Sequence, residues 1–162
     1  MQNGYGGIHI LTVFPVSYRL FSHFSEQTPV LLDAELGFVD TLDRYLDNGK
    51  MYVLDDNGVK CECVITDEKN DILEIKNIAT VPEYQGKGYA KALIEFIVNN
   101  YRDQYAILQV GTGDSPLTIP FYEKCGFVRS YIISNFFTDN YDHPIYESGI
   151  QLIDMVYLQR PL

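Results

Sequence analysis

The chain is poor in positive charge. Its 162 residues include 12 Lys and Arg against 22 Asp and Glu, a formal net charge of −10. That balance argues against a nucleic-acid partner, because a phosphate backbone rewards Lys and Arg. Long apolar runs are missing as well. None reaches the roughly 18 residues of a membrane-crossing helix, so no membrane partner is expected. No Lys or Arg precedes Arg19, and the apolar patch 8–16 is broken by His9, Thr12 and Pro15. A secretory leader is therefore not expected, and a cytoplasmic location is.

Cysteine and histidine are scarce too, at three each. Cys61 and Cys63 stand two apart and share one face of a strand. Two thiols are half a zinc site, and no Cys or His stands at zinc-site spacing, so the pair reads as small core residues and no metal is expected. His9, His23 and His143 form no metal or triad spacing, and none is placed to activate Cys125 as a nucleophile. Linkers, repeats and low-complexity tracts are absent. A chain that is 46% hydrophobic should then fold as one domain over 1–162.

The charge that is present is uneven. Residues 1–74 hold 13 acids against 5 bases, and residues 75–162 hold 9 against 7. A polyanionic ligand is expected in the second half, and the acidic first half would attract a cationic substrate.

The elements follow from periodicity. A first strand lies near 9–14 and a short helix over 17–24. Leu36, Val39, Leu42 and Leu46 predict a helix over 35–47, closed by Asn48-Gly49. Residues 51–54 and 59–65 are strands joined by the D-D-N-G turn at 55–58, and 72–81 is a third. A long helix follows over 88–101, with Ala90, Leu93, Ile94, Ile97 and Val98 on one side. A strand over 106–110 precedes Gly111-Thr112-Gly113, which reads as a turn. Ser115-Pro116 opens a helix that ends at Gly126, and strands cover 130–137 and 151–158. This order predicts an α/β (α+β) fold, a mixed sheet of six to seven strands with helices on both faces. The turn at 82–88 then stands at the carboxyl end of a strand, where open sheets place ligands.

That turn reads V-P-E-Y-Q-G-K-G-Y-A, residues 81–90. Pro82 ends the strand. Gly86 and Gly88 let the backbone curl so that successive N–H groups face one concave side. The helix that follows adds its positive dipole end. Ala90 is small enough for a ligand to approach, and Lys87 and Lys91 add charge. The spacing fits neither G-x-x-x-x-G-K-[ST] nor G-x-G-x-x-G.

Gln85-x-x-Gly88-x-Ala90 resembles the acyl-CoA signature of the GNAT superfamily of acetyl-CoA-dependent N-acetyltransferases. The preceding N-I-A-T-V-P-E-Y resembles the family's strand and turn. P-F-Y-E-K-C-G-F at 120–127 is similar to its later helix end, F-Y-x-x-x-G-F. Ser115 stands where the family often has Asn. The resemblance implies that Gln85, Gly86, Lys87, Gly88, Tyr89 and Ala90 hold the CoA pyrophosphate. It implies that the backbones of Ile78 and Thr80 bind the pantetheine arm, and that acetyl-CoA is the donor. Tyr122 would protonate the departing thiolate, and Glu74, or an ordered water in its place, would be the general base. The acceptor, a small-molecule or peptide amine, would lie against 20–45 and 139–147, where Tyr141, Asp142, Tyr146 and Glu147 suit an ammonium group. The resemblance also admits a homodimer through the late strands. A non-catalytic acyl-CoA-binding module is the alternative, which has no use for Tyr122 or Glu74.

Overall fold

The computed structural model describes His9–Val13 and Val16–Phe21 as strands, and residues 49–162 in full. The helix expected over 35–47 lies outside the described residues. The strands are β1 (His9–Val13), β2 (Val16–Phe21), β3 (Lys50–Asp55), β4 (Val59–Asp67), β5 (Ile72–Thr80), β6 (Ile107–Gly113), β7 (Val128–Ile133), β8 (Tyr146–Glu147), β9 (Ile150–Gln151) and β10 (Met155–Pro161). The helices are α1 (Tyr89–Tyr101), α2 (Thr118–Lys124) and α3 (Phe136–Asn140). The fold class is the expected α+β one.

The chain divides into two compact units. The first holds Met1–Glu68 and Ile75–Ile97, and the second Lys69–Glu74 and Val98–Leu162. In the first unit the strands follow in order from β1 to β5. The pairs β1–β2, β2–β3 and β3–β4 are antiparallel. Residues 16–21 are a strand and not the expected helix. Their sequence, V-S-Y-R-L-F, alternates apolar and polar positions at a period of two, and β2 pairs with β1 in register from Val13↔Val16 to His9↔Leu20. Met51, Val53 and Val64 form a buried cluster with Ala79 against it. The opposite face buries Tyr52, Leu54, Cys61 and Cys63, and Phe96 of α1 packs edge-on against Tyr52 at 5.6 Å. On α1, Leu93, Ile94 and Ile97 are fully buried. Each such side chain contributes roughly 1.5–3 kcal/mol of burial free energy.

In the second unit β10 lies between β6 and β7, antiparallel to both. Gly111-Thr112-Gly113 is the end of β6 and not a turn. Its glycines answer a packing demand. A Cβ at Gly111 would stand 2.9 Å from the Tyr157 ring, and one at Gly113 would stand 2.6 Å from Leu152. Tyr157 in turn stacks on Tyr131 of β7, with centroids 4.5 Å apart. The helix expected from Ser115 starts three residues later, at Thr118. Ser115 is buried and its Oγ accepts the Leu117 N–H at 3.2 Å, so it braces the entry to α2 from outside the helix.

Candidate active site

The turn after β5 lies wholly in the first unit. Pro82–Tyr84 winds into one 3-10 turn, with Tyr84 N–H donating to Val81 O at 2.8 Å and Gln85 N–H to Pro82 O at 3.2 Å. Gly86 and Gly88 take φ of +72° and +89°, a region that a Cβ makes costly. The ladder of α1 opens with Ala92 N–H to Gly88 O at 2.9 Å. Among the described residues, no backbone acceptor meets the N–H groups of Gly86, Gly88, Tyr89, Ala90 or Lys91. They are the orphan donors of a helix start, extended backward by two left-handed glycines. A Cβ built at Gly86 or Gly88 would meet no atom within 4 Å, so open space lies beside the donors. Backbone donors, a helix N-terminus and free volume are what a pyrophosphate requires.

Aromatic and charged side chains brace this turn. Lys60 Nζ sits 3.9 Å above the Tyr84 ring and Lys87 Nζ 5.1 Å from it. Tyr89 donates its hydroxyl to Asp56 Oδ2 at 2.9 Å and packs edge-on against Tyr84. The bond to Asp56 raises the Tyr89 hydroxyl above the usual tyrosine range, because it favours the protonated phenol. Gln85 Nε2 donates to Thr80 O at 3.2 Å, and Thr80 Oγ1 contacts Cys61 Sγ at 3.3 Å. Val81 N–H is taken by Lys60 O at 3.0 Å. By strand alternation the backbone groups of Thr80, and of Ile78 two residues before it, point away from β4.

Burial pushes the Cys61 thiol up to about 11, and it pushes Cys63 well up too. Both stay protonated and behave as small core residues. Burial also works to raise Glu68, but hydrogen bonds from Lys76 and Thr66 outweigh it and hold the carboxyl below the usual range.

Glu74 and Tyr122 belong to the second unit. Glu74 is buried and accepts from Gln109 Nε2 at 2.8 Å. Tyr122 is buried on α2, edge-on to Phe121 at 5.1 Å and to Phe127 at 5.6 Å. The F-Y-E-K-C-G-F stretch has a local cause. Phe127 N–H donates to Tyr122 O at 3.1 Å and Gly126 N–H to Glu123 O at 3.0 Å, with Gly126 at φ +85°. This is a Schellman end, with the hydrophobic contact between its two outer residues supplied by Tyr122 and Phe127. The pattern therefore fixes the Tyr122 ring.

The 139–147 candidates separate. Asp142 pairs with its exposed neighbour His143 at 2.5 Å, whose hydrogen bond lowers the carboxyl below its usual range. Tyr141 stacks on Phe137 at 5.9 Å, and Tyr146 is exposed. Glu147 accepts from Thr118 Oγ1 at 3.3 Å, and Thr118 meets Thr112 Oγ1 at 3.2 Å, so Glu147 is fixed to the start of α2 and the end of β6. Lys60 and Gln109 were not picked out in the sequence. A signal for Gln109 existed, as a lone amide inside the apolar stretch A-I-L-Q-V.

The family model of the acetyltransferase (GNAT) domain matches residues 47–129, a span that holds the glycine turn, Glu74 and Tyr122. An uncharacterized N-acetyltransferase, YvbK of Bacillus subtilis (strain 168), is 34% identical over 122 residues, 74% of this chain and 79% of the relative. Among solved structures, a GNAT family acetyltransferase from Elizabethkingia anophelis with acetyl-CoA bound matches at a TM-score of 0.79 and 30% identity, covering 91% of this chain and 98% of that one. A Bacillus subtilis acetyltransferase in complex with CoA matches at 0.71 and 32%, covering 76% and 84%. The chain belongs to the GNAT family of N-acetyltransferases.

Proposed function

We propose that the chain, as a single catalytic domain, transfers the acetyl group of acetyl-CoA to a primary amine. The observation that carries this reading is the set of N–H groups at Gly86, Gly88, Tyr89, Ala90 and Lys91, which meet no backbone acceptor among the described residues and stand beside open space. Gln85, Gly86, Lys87, Gly88, Tyr89 and Ala90 form the pyrophosphate seat, with Lys60 and Lys87 adding positive charge. Ile78 and Thr80 offer backbone groups to the pantetheine arm. The Thr80 carbonyl already accepts from Gln85 but has a second lone pair to give.

Acetyl-CoA supplies an activated thioester, and the chain's residues move protons. Glu74 takes a proton from the amine as its nitrogen bonds the carbonyl carbon. Tyr122 gives its phenolic proton to the sulfur as the C–S bond breaks. Glu147, anchored by Thr118, offers a carboxylate to a cationic acceptor. A homodimer belongs to the same reading, because β7 exposes Val128, Tyr131, Ile132 and Ile133, more apolar surface than a lone strand usually leaves to water.

The test follows CoA release with spermidine, poly-L-lysine and a peptide with a free N-terminus. Release should require an amine and fall by roughly 100-fold or more in Glu74→Gln. Release that no amine stimulates would contradict the reading.

A further inference from the structure

The Glu74 carboxylate is the end of a side-chain chain that crosses three strands of the second unit. Gln109 Nε2 on β6 donates to Glu74 Oε2 at 2.8 Å. Gln159 Nε2 on β10 donates to Gln109 Oε1 at 2.8 Å. Ser130 Oγ on β7 donates to Gln159 Oε1 at 2.9 Å. Gln109 and Gln159 stand directly opposite in the β6–β10 register. Ser130 reaches them through an irregularity. The β7–β10 register pairs Tyr131 with Tyr157 and Arg129 with Leu158, so Ser130 is left over as a bulge residue and is re-aimed.

The direction of the chain is set by chemistry. The Glu74 oxygen accepts from the Gln109 NH2, which leaves the Gln109 oxygen to accept from Gln159. Gln159 must then donate with its NH2, and its own oxygen is left for the Ser130 hydroxyl. Every dipole in the row points its positive end at Glu74. Aligned hydrogen bonds of this kind polarise one another. The row runs from exposed Ser130, through half-buried Gln159, to Gln109 and Glu74, which are only 5% and 6% exposed.

We infer that Gln109, Gln159 and Ser130 are positioning residues for the Glu74 carboxylate, holding it fixed in orientation for proton abstraction. The inference rests on the reading of Glu74 as the general base. At buried Gln109 an apolar residue would serve the core as well, so an amide there calls for a reason. Three polar side chains bonded in one direction toward one carboxylate are explained by the carboxylate.

The test begins on the full chain without ligand. Side-chain amide signals of Gln109 and Gln159 are assigned in 15N–1H spectra by their loss in Gln109→Met and Gln159→Met. Gln159→Met should shift the Gln109 signal and speed its hydrogen exchange. Ser130→Ala should move the Gln159 signal more than the Gln109 signal, and Ser130→Thr should restore both. A Gln109 signal unmoved in Gln159→Met would overturn the chain. Half-buried Gln159 and exposed Ser130 keep the test open even where the buried Gln109→Met fails to fold. These signals decide the chain with or without turnover. CoA release with spermidine then tests the role. Gln159→Met should lower kcat roughly tenfold while the KM for acetyl-CoA stays within about twofold. Coupled signals with an unchanged kcat would overturn positioning alone. An unchanged kcat in Glu74→Gln would instead overturn the base reading beneath it.

Discussion

The glycine turn at 85–91 and the row that ends at Glu74 solve opposite problems. The turn works by what is missing. Its donors are backbone N–H groups, its glycines leave volume, and its side chains stand back as braces around Tyr84. The row works by what is present. Each of its side chains meets the next within 3 Å, and burial of Gln109 and Glu74 makes every bond matter more. A site for a large anion is cheapest to build from backbone and a helix end. A site that must hold one proton acceptor in place needs fixed side chains. The first should therefore break by added atoms and the second by removed ones.

The largest expected effect comes from adding atoms at Gly88. Its φ of +89° suits no β-branched residue, so Gly88→Val forces the turn to rearrange at a cost of about 1–3 kcal/mol. Acetyl-CoA affinity should fall at least roughly 100-fold by isothermal titration, while the unfolding midpoint of the free protein falls by several degrees and the chain still folds. Retained affinity would mean that the turn is not the seat. In the second unit, removing one oxygen is enough. Tyr122→Phe keeps the ring that closes the Schellman end against Phe127, so stability should hold. The kcat should drop roughly 100-fold with acetyl-CoA binding within about twofold, and an undiminished kcat would remove Tyr122 from the proton transfer.

The next effect belongs to the packing beneath the turn. The folded state keeps the Cys61 proton up to about 11, whereas an ordinary thiol loses it near 9.0. Stability from this thiol is full below pH 9 and is lost as pH rises through 11, on the order of 2–3 kcal/mol. Urea unfolding at pH 8 and pH 10.5 should show the loss, and Cys61→Ala should show less of it. An equal loss in the variant would assign the effect to other groups. The smallest effect is expected at Tyr89→Phe, which removes the bond to Asp56. It should lower stability only slightly and leave CoA affinity nearly unchanged, as proposed for a residue that would serve the seat through its backbone.

The same contrast governs what the sequence reveals. The glycine backbone of the turn was legible, since glycine spacing, Pro82 and the start of an amphipathic helix are local facts, whereas the Lys60 brace over Tyr84 was not. The strands from Lys50 to Thr80 were legible by alternation for the same reason. Residues 16–21 were misread because S-Y-R-L-F has apolar residues that also fit a helical turn, and only pairing with β1 decides. Gly111-Thr112-Gly113 was misread because the cause of its glycines, the Tyr157 ring and Leu152, lies some 40 residues on. The hairpin of β8 and β9 had a signal in Ser148-Gly149, both with positive φ, but strands of two residues carry no period. Glu74 was singled out by its place before the signature, whereas Gln109, Gln159 and Ser130 join it only across strands.

Thermal unfolding with acetyl-CoA, set against ADP and NAD at equal concentration, tests the central claim most directly. At ~100 times its dissociation constant, a ligand adds roughly 2.7 kcal/mol, which is a rise of roughly 5–10 °C for a chain of this size. The account predicts that rise with acetyl-CoA, little with NAD, and none with acetyl-CoA in Gly88→Val. No rise, or an equal rise with NAD, would contradict it.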